Sequence, residues 1–79
     1  MRILYHLWMS PPCRKVRIVL CEKQLEFELR AENVLERRPE FLALNPEGNI
    51  PVLVENDGMA ISGSDAISEF LDEVHPDPP

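Results

Sequence analysis
The run Ser10-Pro11-Pro12-Cys13 restricts the fold more than any other part of the chain, because it separates a strand-like stretch from a helix-like one. Arg2-Ile3-Leu4-Tyr5-His6-Leu7 has the β-branched, aromatic and aliphatic content of a strand, and Trp8-Met9 leave room for only a short loop. Serine is a favoured N-cap, and proline suits the first helical turn because its missing N–H would be unpaired there in any case. The helix predicted from Pro11, regular from Arg14 to Lys23, turns Val16, Val19 and Leu20 toward a core and Arg14, Lys15, Glu22 and Lys23 outward. A group held just ahead of this turn meets free N–H donors and the positive end of a helix dipole, a setting that favours a thiolate or another anion. The same residues also make an ordinary capped helix start, so the turn chemistry alone leaves both readings open.

Glu26-Phe27-Glu28-Leu29-Arg30 alternates strictly, as a strand with one wet face does. Strand, helix and strand in so few residues imply a right-handed parallel β-α-β unit. Val34 to Leu44 reads as helical, with Pro39 dividing it into two pieces or delaying its start. Asn45-Pro46-Glu47-Gly48-Asn49 is turn chemistry, Ile50-Pro51-Val52-Leu53-Val54 a third strand, and Asn56-Asp57-Gly58 a hairpin signal that returns through Met59-Ala60-Ile61. A last helix starts at Ser62-Gly63-Ser64-Asp65, with Ala66, Ile67, Phe70, Leu71 and Val74 as its apolar stripe. His75-Pro76-Asp77-Pro78-Pro79 stops it and reads as a linker. The expected architecture is α/β: βαβ followed by αββα, a four-stranded mixed sheet flanked by helices on both faces, with one domain over residues 1–74.

Composition narrows the function classes. The net charge is −6, with eight bases against five acids in residues 1–38 and nine acids with no base in residues 39–79. An acidic chain is a poor partner for nucleic acid or an anionic membrane, and Arg14-Lys15-Arg17 is too small a basic cluster to reverse that. No apolar run approaches the ~20 residues that span a bilayer. Met1 leads at once into a strand-like segment, from which a cytoplasmic protein without a signal peptide is expected. Cys13 and Cys21 lie eight residues apart on one predicted helix. That is about 12 Å at the ordinary rise, too far for a disulfide, whose Cα atoms lie within ~7 Å. With His6 and His75 they match no zinc spacing, so no metal is expected, and two reduced, mostly packed thiols suit a reducing compartment.

Three blocks of text carry a resemblance. They are Ser10-Pro11 followed by Arg14-Lys15-Val16-Arg17-Ile18-Val19-Leu20; Asn45-Pro46-Glu47-Gly48-Asn49-Ile50-Pro51-Val52-Leu53; and Ile61-Ser62-Gly63-Ser64-Asp65-Ala66-Ile67 ending in Phe70-Leu71. In this order and spacing the chain resembles the N-terminal, glutathione-binding, thioredoxin-fold domain of a serine-type glutathione S-transferase. The resemblance implies glutathione as co-substrate and its addition to a small electrophile, chemistry of the kind used in detoxification, with no metal or bound redox cofactor. It also implies a homodimer, as is common in the family, and an all-helical second domain that would begin after the linker 75–79.

By family position, Ser10 would donate its hydroxyl to the glutathione sulfur. Pro51 matches the family's cis-proline, which would turn the Ile50 backbone toward the cysteinyl part of the tripeptide as one more short strand. Ser64, at a helix start, would take the γ-glutamyl carboxylate. Gly63 departs from the Glu or Gln that many relatives carry there, and Asp65 is expected to hold the γ-glutamyl ammonium in its place. Arg37 or Arg38 could meet the glycyl carboxylate, though their spacing does not demand it. Gln24 departs from the Gly that relatives often place after the first helix, where a left-handed residue is wanted. Two other functions remain open: a non-catalytic transferase-like binding module, and a thiol oxidoreductase using Cys13 alone. Ser10 occupies the position where a C-x-x-C motif has its nucleophile, which argues against ordinary dithiol exchange.

Overall fold
Alternation along two central strands sorts the apolar residues onto the two faces of one sheet. The computed structural model describes residues 1–76; the end of the expected linker, residues 77–79, lies outside the described residues. β1 (Arg2–His6) pairs in parallel with β2 (Phe27–Ala31) and antiparallel with β3 (Val52–Val54), and β4 (Ala60–Ser62) lies antiparallel on β3. The order across the sheet is β2-β1-β3-β4. Between strands run α1 (Pro11–Glu22), a 3-10 turn (Val34–Glu36), α2 (Pro39–Leu44) and, at the end, α3 (Ser64–Val74). This is the mixed, doubly covered thioredoxin-like sheet expected from the residue pattern.

Side chains along a strand alternate faces, so paired residues share one. Leu4 stands opposite Leu53, and both join Val16, Leu20, Ile67 and Leu71 in a fully buried core beneath α1 and α3. One residue along, Tyr5 stands opposite Val52, and these pack with Phe41 of α2 on the other face. The Tyr5 and Phe41 rings meet at 5.6 Å between centroids, tilted by 57°. Each fully buried Leu, Ile or Val stabilises by about 1.5–3 kcal/mol, so the larger cluster holds most of the available stability.

Element boundaries follow local chemistry. β3 begins at Val52 rather than Ile50, because Pro51 has no N–H for the ladder. Pro39 divides the second helical stretch into a 3-10 turn and α2, one of the two outcomes expected of it. The hairpin turn forms at Asn56-Asp57-Gly58: Glu55 and Met59 close it with a 2.8 Å backbone bond, and the Asp57 carboxylate accepts from the Met59 N–H at 3.0 Å.

Three sequence expectations need correction. Lys23 is buried rather than outward: it caps α1 and reaches across to α3, where its Nζ pairs with Asp72 at 3.1 Å and donates to the His75 carbonyl at 2.6 Å. The stripe on α3 is narrower than its sequence suggests, since Ala66 and Val74 are exposed and Ile67, Phe70 and Leu71 face the core. Cys13 is packed, but Cys21 is exposed, two turns further along α1 where the helix face has rotated outward; both thiols are free.

The end of α1 explains the glycine expected there. The Leu25 N–H bonds the Leu20 carbonyl at 3.1 Å and the Gln24 N–H bonds Cys21 at 3.0 Å, a Schellman closure with Leu25 packed on the core. Gln24 therefore holds φ 57°, a left-handed conformation that disfavours any residue with a Cβ. Relief of that cost by glycine outweighs the added entropy of the unfolded chain. Gln24→Gly is expected to stabilise the fold by about 0.5–1 kcal/mol, measured as a rise of roughly 3–6 °C in the thermal midpoint.

Candidate functional site
The topology gathers one end of the sheet into a site. β1 runs toward its C-terminal His6, and the chain continues through Leu7, Trp8 and Met9 into Ser10 and α1. Because β3 is antiparallel to β1, its leading residues Ile50 and Pro51 lie at that same end. Because β4 is antiparallel to β3, Ser62 stands opposite Val52, and Gly63 and Ser64 follow there too. The Gly63 N–H bonds the Pro51 carbonyl at 3.0 Å, and Lys15 of α1 pairs with Asp65 of α3 at 3.0 Å. All five of Ser10, Ile50, Pro51, Ser64 and Asp65 therefore sit on the loops and helix starts at one sheet end.

Ser10 is the N-cap of α1, in extended conformation (φ −82°, ψ 118°). Its Oγ accepts from the Cys13 N–H at 3.5 Å, a long bond, while its carbonyl accepts from the Arg14 N–H at 3.0 Å. A hydroxyl has two acceptor lone pairs and one donor, so capping leaves the O–H free to donate elsewhere. Capping and anion binding are compatible here. Cys13 has no solvent exposure, which withdraws its sulfur from any exchange with a disulfide in solution.

The Ile50-Pro51 peptide bond is cis. Upstream, the Asn45 side chain holds the turn by donating to the Asn49 carbonyl at 2.9 Å and its Oδ1 at 2.8 Å. Of the two arginines that could meet the glycyl carboxylate, Arg38 grips the buried Glu32 with two nitrogens, one at 3.0 Å, and Arg37 lies against Gly48. Glu32 itself adjoins the same sheet end, where its N–H bonds the His6 carbonyl at 3.1 Å.

Gly63 caps α3 at φ 92°, ψ 137°, with no side-chain cap bond to the first turn. The N–H groups of that turn are left to face whatever lies at the sheet end. Asp65 is the acid of the first turn, nearly fully exposed, with Oδ1 engaged by Lys15. The unoccupied Oδ2 retains acceptor capacity.

A cluster that spacing did not reveal lies beneath the Ser10 loop. His6 is buried, its ring meets the Trp8 ring edge-on at 4.9 Å, and its Nδ1 is 3.0 Å from Arg17 Nη1. Arginine can only donate, so Nδ1 accepts and the neutral ring carries its proton on Nε2. Burial first, and the Arg17 charge second, hold the His6 pKa below its ordinary value. The only sequence hint was the seven-residue interval from Ser10 to Arg17, two helical turns that return to the same face of α1.

A cleft of about 200 Å³ opens beside Ser10, between Trp8, Met9, Pro11 and Arg14. Two larger grooves, of about 430 and 440 Å³, run along the outer side of α1. The first is lined by apolar Trp8, Ile18, Phe27 and Leu29, and neither adjoins Ile50 or Ser64.

Two outcomes follow from this geometry. A Cβ on Gly63 would meet no atom within 4 Å, so Gly63→Ala isolates the backbone cost of a positive φ. Chemical denaturation should report a loss of about 1–3 kcal/mol. For His6, the unfolded chain binds the proton more readily than the folded one. Its contribution is therefore present above the unfolded value of about 6.5 and is lost as pH falls through the lowered folded value. Unfolding free energy should fall between pH 7 and pH 5, with a shallower slope in His6→Gln.

Comparison with known proteins places these features. Residues 4–79 match the family model described as "Glutathione S-transferase, N-terminal domain". A crystal structure of a glutathione S-transferase from Rhodospirillum rubrum superposes with TM-score 0.94 at 52% identity, over 99% of this chain and 35% of that one. A Methylobacterium radiotolerans glutathione S-transferase, solved in complex with glutathione sulfonate, superposes with TM-score 0.91 at 38% identity, over 99% of this chain and 37% of that one. FtsZ-localized protein A of Caulobacter vibrioides is 40% identical over 81 residues, 99% of this chain and 36% of that protein. The chain thus spans little more than a third of the length of the relatives it matches. It belongs to the glutathione S-transferase family, as an N-terminal domain with the thioredoxin-like fold.

Proposed function
We propose that this domain binds glutathione at the sheet end described above and stabilises its thiolate for attack on a small electrophile, in a transferase of the serine type. The carrying observation is the arrival of Ser10, Ile50-Pro51 and the start of α3 at one end of one sheet. The relative bound to glutathione sulfonate supports the choice of ligand.

In this reading each group has a task set by its chemistry. The thiol of glutathione has a pKa near ~8.5, so only ~3% is thiolate at neutral pH. The Ser10 O–H donates to the sulfur, with the first-turn N–H groups of α1 and its dipole behind it. Ile50 N–H and C=O pair with the cysteinyl main chain as an added strand. The Ser64 hydroxyl and the uncapped N–H groups of α3 take the γ-glutamyl carboxylate, and Asp65 takes the ammonium through the oxygen that Lys15 does not hold. An all-helical second domain after the proline-rich stretch would cover the apolar groove along α1 and supply the pocket for the electrophile. The intact protein would be a cytoplasmic enzyme, dimeric as is common in its family.

A second reading, a binding module without turnover, draws support from Gly63, which offers no side chain to the γ-glutamyl end. The Cys13 oxidoreductase has less support, because that sulfur is wholly buried.

In the full-length protein, Ser10→Ala should lower the conjugation rate about 20-fold at pH 7, if the bound thiol lies two units below its ordinary value. Above about pH 9, where the thiol ionises unaided, the two rates should converge. An equal loss at every pH would count against thiolate stabilisation by Ser10. Glutathione binding without turnover in the unaltered protein would favour the module. Amide shifts on titration with glutathione should gather at Ser10, Ile50 and Ser64.

A further inference from the structure
The loop that delivers Ser10 gains little from burial. Leu7 is 38% exposed, Trp8 65% and Met9 93%. Apolar contact therefore does not set the course of these three residues. The Ser10 hydroxyl is not pinned by its own cap bond either, since that contact is 3.5 Å long. Something else must hold the hydroxyl in one place.

The guanidinium of Arg17 fits that role. Nη2 donates to the Trp8 carbonyl at 3.1 Å and Nη1 to the Leu7 carbonyl at 3.3 Å, so one planar group grips two successive peptide units. The Leu7 carbonyl also accepts from the Ser10 N–H at 3.2 Å, which links the gripped atom directly to the serine. The Arg17 carbon lies 4.6 Å from the centroid of the Trp8 ring, a cation–π contact that closes the loop over its own anchor. From below, Nη1 meets His6 Nδ1 at 3.0 Å, and His6 also contacts the Trp8 ring. Among the described residues, every bond from the guanidinium goes to His6, Leu7 or Trp8, the stretch that leads into Ser10. A lysine could not reproduce this, because its ammonium lacks the flat fork that serves two carbonyls and a ring at once.

We propose that Arg17 is the positioning residue for Ser10, acting through the Leu7 and Trp8 carbonyls to aim the serine hydroxyl without touching substrate itself. This rests on the reading of Ser10 as the donor to a bound thiolate. The two claims separate in one experiment on the full-length protein, which titrates the thiol of bound glutathione by thiolate absorbance and measures glutathione affinity by calorimetry.

The unaltered protein should show an acidified thiol. Arg17→Met, which keeps the stem and loses the fork, should raise that thiol pKa by about one unit, with little change in KM. That is a roughly threefold loss of thiolate and of kcat at pH 7 when the unaltered thiol lies about two units below its ordinary value. Should Arg17→Met not fold, Arg17→Lys carries the same readout and should also raise the pKa, by a smaller amount. An unaltered protein that leaves the thiol at its ordinary pKa overturns the reading of Ser10. Normal acidification in the unaltered protein, undiminished in a folded Arg17 variant, overturns the role of Arg17 alone. A variant that loses only stability or affinity, with the thiol still acidified, marks Arg17 as structural and overturns it equally.

Discussion
The antiparallel pairing of β3 on β1 is the constraint from which the rest of the molecule follows. It places Leu53 opposite Leu4 and Val52 opposite Tyr5, so one pair of strands supplies the centre of both apolar faces. A slip of one residue would send Leu53 to the α2 face and leave the cleft between α1 and α3 unfilled. The same pairing reverses the chain direction, so the start of β3 lies where β1 ends. Core packing and site assembly are therefore one event: the register that buries Leu53 is the register that brings Ile50 and Pro51 to the end of the sheet where α1 begins.

Two helix starts share that end, and magnitudes show how they would divide the work. Lowering a thiol pKa by two units takes about 2.7 kcal/mol of preference for the anion. A helix dipole supplies about 0.3–1 kcal/mol at a partly exposed site, which is too little alone. A hydrogen bond to a charged group supplies about 1.5–3 kcal/mol, so under the proposed reading the Ser10 hydroxyl is the larger contribution and the dipole the smaller. A bond of that strength depends on direction, so under the same reading the course of the loop before Ser10, and the grip of Arg17 on it, would bear on chemistry as well as on stability.

Much of the fold was legible because it rests on local rules. Alternation marked Phe27 and Leu29 as the inward side of β2, Asn56-Asp57-Gly58 marked the hairpin, and Ser10 with two prolines marked the start of α1. The glycine expected after α1 marked a left-handed residue, and Gln24 adopts that conformation despite its Cβ. What escaped were contacts between elements. Lys23 reads as a solvated helix residue until α3 is laid beside it, and only then do Asp72 and the His75 carbonyl explain its burial. Ala66 and Val74 read as core until the narrow contact of α3 with its neighbours excludes them. Asp65 and Lys15 are fifty residues apart in the chain and share an ion pair that no pattern announces.

Residue order by itself determined the elements, their sequence along the chain and the family, because helix caps, turn residues and strand alternation each depend on near neighbours. Tertiary structure decided which loops meet. The closeness of Ser10, Pro51 and Gly63 comes from strand direction, and the grip of Arg17 on Leu7 and Trp8 comes from folding α1 back over the end of β1. The physical reason is that a backbone carbonyl carries no signature of its own residue. Which side chain will reach it is settled by the path of the chain through space.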